Sequence, residues 1–205
     1  YHTTFSQPTP LATDGKSRIG RRLLTFVRLP GMPTEIASIA DASCAYLMHS
    51  GRWQETLVPT EDGTKHYGAA NLYGYAGAST DTQLRKLNEM LLKYALARMA
   101  TFHDVPYYLG MDANINPEAS QVIGNAKRDG LAYDIIQDWS ADPLAPLPTY
   151  KLGGVDCEMR NDKGSGVTRI DTILSNRPAA HAVTGIFYQW DMAAGMDHVG
   201  ITATT

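Results

Sequence analysis

Asp112 and Asn114 stand two residues apart at the end of the apolar run Tyr107-Tyr108-Leu109-Gly110-Met111. On a strand, residues i and i+2 project from the same face. A strand ending here presents a carboxylate beside a carboxamide at its carboxyl end, where ligand and catalytic groups gather in α/β proteins. Two later pairs, Arg169/Asp171 and Asp197/His198, each follow or close a short apolar segment. Together the pairs suggest one site and phosphate-ester chemistry. Cleaving such an ester needs a divalent cation on hard oxygen ligands, a base to activate water, and donors for the non-bridging oxygens. Asp112 suits the base and Asn114 a donor. Asp171 and Asp197 can share metal binding and the orientation of an imidazole. His198 can donate to the phosphate, its tautomer fixed by a carboxylate. Arg169 is expected either to pair with a carboxylate of the site or to face a phosphate.

These groups need strands to carry them and helices to hold the strands. Thr80 to Ala100 is the clearest helix, with Leu84, Leu87, Leu91 and Tyr94 forming one apolar stripe and Thr80/Gln83 fitting a capping box. Tyr107 to Asp112 returns as a strand after it. Trp53 to Val58 and Tyr67 to Tyr73 flank Glu61-Asp62-Gly63-Thr64, which predicts a hairpin. Strand, helix, strand in this order predicts an α/β unit. Leu23 to Leu29 and Ala42 to Met48 read as strands, as do Thr168 to Ser175, Ala182 to Trp190 and His198 to Thr202. Asn116 and Pro117 fit the cap and first position of a shorter helix. Leu131 to Trp139 fits a helix or a strand. Residues 1 to 20, Asp142 to Pro148 and Leu152 to Gly166 read as loops.

The 205 residues suffice for one domain with a core, and 43% hydrophobic with 19% charged residues is a globular composition. A net charge of -3 makes the chain as a whole no electrostatic trap for nucleic acid, although bound divalent metal would offset local carboxylates. Cys44 and Cys157 are too few for a disulfide framework, so a reducing, intracellular compartment is expected, nuclear or cytoplasmic. No apolar stretch reaches the roughly 20 residues that span a bilayer, and no membrane or obligate protein partner is expected.

Asn71-Leu72-Tyr73-Gly74, Met111-Asp112-Ala113-Asn114, Arg169-Ile170-Asp171 and Asp197-His198-Val199 follow one another in an order that resembles the endonuclease/exonuclease/phosphatase family. Pro148-Thr149-Tyr150 adds to the likeness. The resemblance implies a DNase I-like fold: an α/β (α+β) four-layer sandwich of two packed mixed sheets flanked by helices. It implies a Mg²⁺- or Mn²⁺-dependent hydrolase with DNA as substrate, most similar to the endonuclease domains of retrotransposon-like elements. By the same resemblance, Asp112 would position or deprotonate the attacking water and Asn114 would hold water and phosphate. Tyr73 would touch the phosphate, with Asn71 sharing its strand face. Asp171 would orient His198, His198 would contact the scissile phosphate, and Asp197 would bind or place the metal.

Met111 and Met196 stand where the family has Gly and Ser. The family also carries an Asn on its first strand and a metal-binding Glu well before the tyrosine strand. Gln54-Glu55-Thr56 looks like the triplet around that Glu, yet only a short hairpin separates Glu55 from Tyr73. Glu55 is therefore expected on a hairpin strand beside Trp53. The chain opens on Tyr1, and the expectation is that the first strands and their Glu lie outside it, leaving the isolated chain weak or inactive. The alternatives are a phosphomonoesterase of the same family, acting on an inositol phosphate, lipid or nucleotide, or a non-catalytic remnant that only binds.

Overall fold

The computed structural model describes residues 2–5, 24–27, 34–35, 42–59, 63–64, 66–139, 147–151, 154–155, 167–190 and 196–205. Most of the three expected loops lies outside these.

The hairpin forms as expected. Strands β4 (Trp53–Pro59) and β5 (His66–Tyr73) pair antiparallel, and Gly63 in the turn between them adopts φ +67°. A crossover through helix α2 (Thr82–Ala100) leads to strand β6 (Tyr107–Asp112), which lies parallel to β5. Leu91, Leu92, Ala95, Leu96 and Met99 of α2 bury against Leu72, Leu109 and Met111. Alternation does the rest: Gly68, Ala70 and Leu72, then Tyr107, Leu109 and Met111, point into this core. The residues between them point to the opposite face. Tyr107 is fully buried, and its ring lies where any Cβ at position 68 would sit, so this crossing requires Gly68.

Strand β10 (Asp171–Ser175) joins the far side of β6 antiparallel, and β7 (Tyr133–Asp134) and β3 (Thr34–Glu35) close the edges of a six-stranded mixed sheet. Among the described residues there are also three two-stranded sheets: β1 (His2–Phe5) with β2 (Leu24–Val27), β8 (Tyr150–Lys151) with β9 (Val167–Thr168), and β11 (Gly185–Gln189) with β12 (Gly200–Thr204). The shorter helices are α1 (Ala42–His49), α3 (Gln121–Arg128), α4 (Ile135–Trp139) and α5 (Arg177–Ala182).

Five expectations are corrected. Ala42 to Met48 is the helix α1, not a strand. A short apolar run does not separate the two by period, and here packing decides. Leu47 is buried in the core and the Tyr46 ring meets Tyr94 of α2 at 4.7 Å. His2–Phe5, inside the expected amino-terminal loop, is a strand because it finds a distant partner in Leu24–Val27. The cap of α2 is Asp81, whose carboxylate accepts from Gln83 N and Leu84 N, while the Thr80 hydroxyl donates to Gly77 O. The helix expected at Pro117 is a single 3-10 turn, Pro117–Ala119 capped by Asn116, with α3 following it. Thr168 to Ser175 breaks in two, because Thr149 Oγ1 accepts from both Ile170 N (3.1 Å) and Asp171 N (3.0 Å).

Glu55 is where the hairpin puts it, on the core face of β4. Its carboxylate accepts from Arg98 Nε at 3.0 Å and from the Tyr107 hydroxyl at 2.6 Å, all three side chains buried. It is a structural ion pair tying β4 to α2 and β6.

Candidate active site

The register of the sheet assembles the site. Tyr73 stands beside Asp112 across the parallel pair, and Asp112 beside Asp171 across the antiparallel one. All three lie on the face turned away from α2, at the carboxyl ends of β5 and β6. Asn71 lies opposite Gly110, where a Cβ would stand 3.5 Å from the Asn71 carboxamide oxygen, an ordinary contact. The fourth member arrives from a different sheet. His198 bridges Tyr150 of β8, Val199 N donates to Thr149 O at 2.8 Å, and the Tyr150 ring packs edge-on against the imidazole at 5.0 Å. Thr149, fully buried, thus holds the backbone of both Asp171 and the His198 segment.

His198 Nδ1 lies 2.9 Å from Asp171 Oδ2. An ionised carboxylate only accepts, so Nδ1 carries the proton and Nε2 is the nitrogen left for a ligand. The hydrogen bond that His198 donates to Asp171 raises the pKa of His198 above its ordinary value, opposed by burial and reinforced by the charges of Asp171, Asp112 and Asp197. The folded state thus binds the proton more tightly than the unfolded chain. In metal-free protein this contribution to stability is complete below about pH 6.5 and disappears as the pH rises through the raised value. Thermal midpoints in EDTA should therefore fall with rising pH in that window for the parent protein and stay flatter for Asp171→Asn. Parallel curves would refute the coupling.

Asp112, Asp171 and His198 each offer one ligand atom within 4.8 Å of the others, all three half-buried. A cleft of about 850 Å³ opens over them, lined also by Asn71, Tyr73 and Asp197. Asp197 is exposed on its wall, outside the cluster of three ligand atoms. Asn114 lies just behind the lining with φ +51°. Its backbone N donates to Asp112 Oδ1 (3.0 Å) and its side-chain Nδ2 to Gly74 O (3.2 Å).

Arg169 is corrected on both counts. It is buried, away from the cleft, and Nη2 donates to Asp134 Oδ2 and to Thr172 Oγ1 behind β10. Its role is to hold β10 on β7. Arg52, which the sequence did not single out, stands closer to the site. Its guanidinium donates to Gly74 O (2.8 Å) and lies 4.0 Å from the centre of the Tyr75 ring and 5.6 Å from that of Tyr73. A lone Arg before a strand carries no signal of that placement.

No protein-family model matches the sequence, and no curated protein does at a significant level. Solved structures do match. An AP endonuclease from Archaeoglobus fulgidus aligns over 100% of this chain and 79% of its own, at 14% identity and TM-score 0.62. The endonuclease domain of TRAS1, a telomere-specific non-LTR retrotransposon, aligns over 97% and 78% at 11% identity and TM-score 0.58. The human Nocturnin catalytic domain, solved with a bound sulfate anion, aligns over 99% and 72% at 13% identity and TM-score 0.58. The chain therefore has the DNase I-like fold, with mixed sheets flanked by helices, and its structural neighbours are endonuclease/exonuclease/phosphatase proteins.

Proposed function

We propose that this protein hydrolyses phosphodiester bonds in DNA as a metal-dependent endonuclease. The observation that carries the reading is the convergence of Asp112, Asp171 and His198 on one cleft, with Asp171 already paired to His198. Carboxylate oxygens suit a hard divalent cation, Mg²⁺ or Mn²⁺. Asp112 and Asp171 would hold it, with Asp197 beside them on the cleft wall. Bound there, the cation would neutralise the phosphate and polarise its oxygens.

The side chains supply the remaining steps. Asp112 orients the attacking water and takes its proton. His198, oriented by Asp171, presents Nε2 to a non-bridging oxygen and in its protonated form donates to it as negative charge builds there. The Tyr73 hydroxyl and the Asn71 carboxamide contact the phosphate from the same strand face, and the Asn114 carboxamide steadies the water. Arg52 steadies the end of this row, donating to Gly74 O with its guanidinium over the Tyr75 ring. Two structural neighbours, an AP endonuclease and a retrotransposon endonuclease domain, support the same substrate class.

The test is plasmid nicking. Supercoiled DNA should relax to open circles in Mg²⁺, cease to do so in EDTA, and be cut at least about 10²-fold more slowly by His198→Ala. Hydrolysis of a simple phosphomonoester without nicking, or parental nicking by His198→Ala, would overturn the proposal.

A further inference from the structure

Asn88 interrupts the apolar face of α2 and is completely buried among Leu84, Leu91 and Leu92. A carboxamide in such surroundings is costly unless its donor and acceptor are both engaged. Both are. Asn88 Oδ1 accepts from Tyr75 N at 3.0 Å, and Nδ2 donates to Ala113 O at 2.9 Å. The two partners belong to different segments. Tyr75 lies two residues beyond Tyr73, and Ala113 lies between Asp112 and Asn114. One side chain therefore joins β5 and β6 where their ladder stops.

The contacts around this joint are close. Gly74 N donates to Asp112 O at 2.7 Å, and Gly74 O accepts the Asn114 side chain. A Cβ on Gly74 would collide with Ala113 O and stand 2.8 Å from Asn88 Oδ1. On the opposite side, Ala113 N donates to Ile170 O at 2.7 Å, in the segment that leads to Asp171. The peptide between Ala113 and Asn114 is thus held at its carbonyl by Asn88. That peptide carries the N–H that donates to Asp112 Oδ1. Asn114 itself sits at φ +51°, a conformation a non-glycine residue keeps only when its surroundings hold it.

We infer that Asn88 is a positioning residue for the hydrolysis proposed above. It does not line the cleft. It acts through Ala113, fixing the turn that places Asn114 against Asp112. The role needs a donor and an acceptor on one short side chain. Aspartate at this position keeps the acceptor for Tyr75 N but sets a carboxylate against Ala113 O. Leucine leaves both backbone groups unpaired. The inference rests on the hydrolytic reading for its kinetic consequence, though not for its geometry.

A double-mutant cycle separates positioning from packing. Asn88→Asp should lower kcat for plasmid nicking in Mg²⁺ about 10- to 100-fold, with KM changed less than about twofold. Combined with Asn114→Ala, it should cause no further loss beyond Asn114→Ala alone, because both changes remove the same placement. Multiplicative losses would assign Asn88 to the core only and overturn the inference. Asn88→Ser, which keeps a short donor and acceptor, should lose less activity than Asn88→Asp and provides the cycle if the aspartate variant does not fold. Failure of both to fold would also overturn it. Amide resonances supply a reading independent of catalysis: Asn88→Asp should shift the backbone and side-chain signals of Asn114. If the parent protein does not nick DNA but those signals move, the hydrolytic reading fails and the positioning stands. If the parent is active and the Asn114 signals do not move, the positioning fails alone.

Discussion

Asp112→Ala should reduce metal-dependent nicking about 10³-fold or more, the range lost when a general base and a cation ligand disappear together. Asp112 is the middle of the row, with Tyr73 on one side and Asp171 on the other. It is also the acceptor for Asn114 N, so alanine removes the charge and loosens the turn at once. Asp112→Asn divides the two effects. It keeps a side-chain oxygen for Asn114 N and removes the charge, so it should fold like the parent and still lose most of the rate. Single-turnover nicking, with thermal midpoints beside it, makes the comparison. An Asp112→Asn variant as fast as the parent would remove Asp112 from the chemistry.

Glu55→Ala should do the opposite, costing stability and sparing the chemistry. The carboxylate it deletes is buried and accepts from the Arg98 guanidinium and the Tyr107 hydroxyl. Removing one partner of a buried pair leaves the other charge desolvated, which costs roughly 3–5 kcal/mol. Among the described residues, the Arg98 guanidinium then retains its stacking on Phe102, at 4.7 Å, and a long contact to Thr101 Oγ1 at 3.4 Å. In a domain of this size each kcal/mol is worth about 2–4 °C in the thermal midpoint. Denaturant titration measures the loss, and the Mg²⁺ concentration that half-saturates nicking checks the chemistry. An unchanged denaturation midpoint with a raised Mg²⁺ requirement would make Glu55 a site ligand after all.

Side-chain period made most of the site readable in advance. Alternation on a strand puts Asp112 on the face opposite Met111, and Asp171 on the face opposite Thr172, wherever those strands lie. Such positions depend on local geometry alone. The same holds for the hairpin, whose turn residues are adjacent in sequence, and for the long helix, although Leu87 of its expected stripe is exposed and the buried face runs through Leu91, Leu92, Ala95 and Met99. What escaped depended on partners far along the chain. α1 is helical because Tyr46 and Leu47 meet α2. Arg169 is structural because Asp134, 35 residues earlier, is buried beside it. Asn88 drew no notice in the sequence, because its partners Tyr75 and Ala113 come from two segments far from it along the chain. Arg52 gained its place from rings on the next strand.

The register of the row Tyr73–Asp112–Asp171 is set by backbone hydrogen bonds across three neighbouring strands. Because strand faces alternate, sliding β6 by one residue against its neighbours would send Asp112 into the apolar interior and bring Met111 out to the cleft. Inserting or deleting one residue within β5 or β6 should therefore be far more damaging than most substitutions there. The site has no tolerance for a change of frame. The hairpin turn near Gly63, at the other end of β5, is free of that constraint. Changes of length at that end of the sheet should be tolerated where those at this end are not.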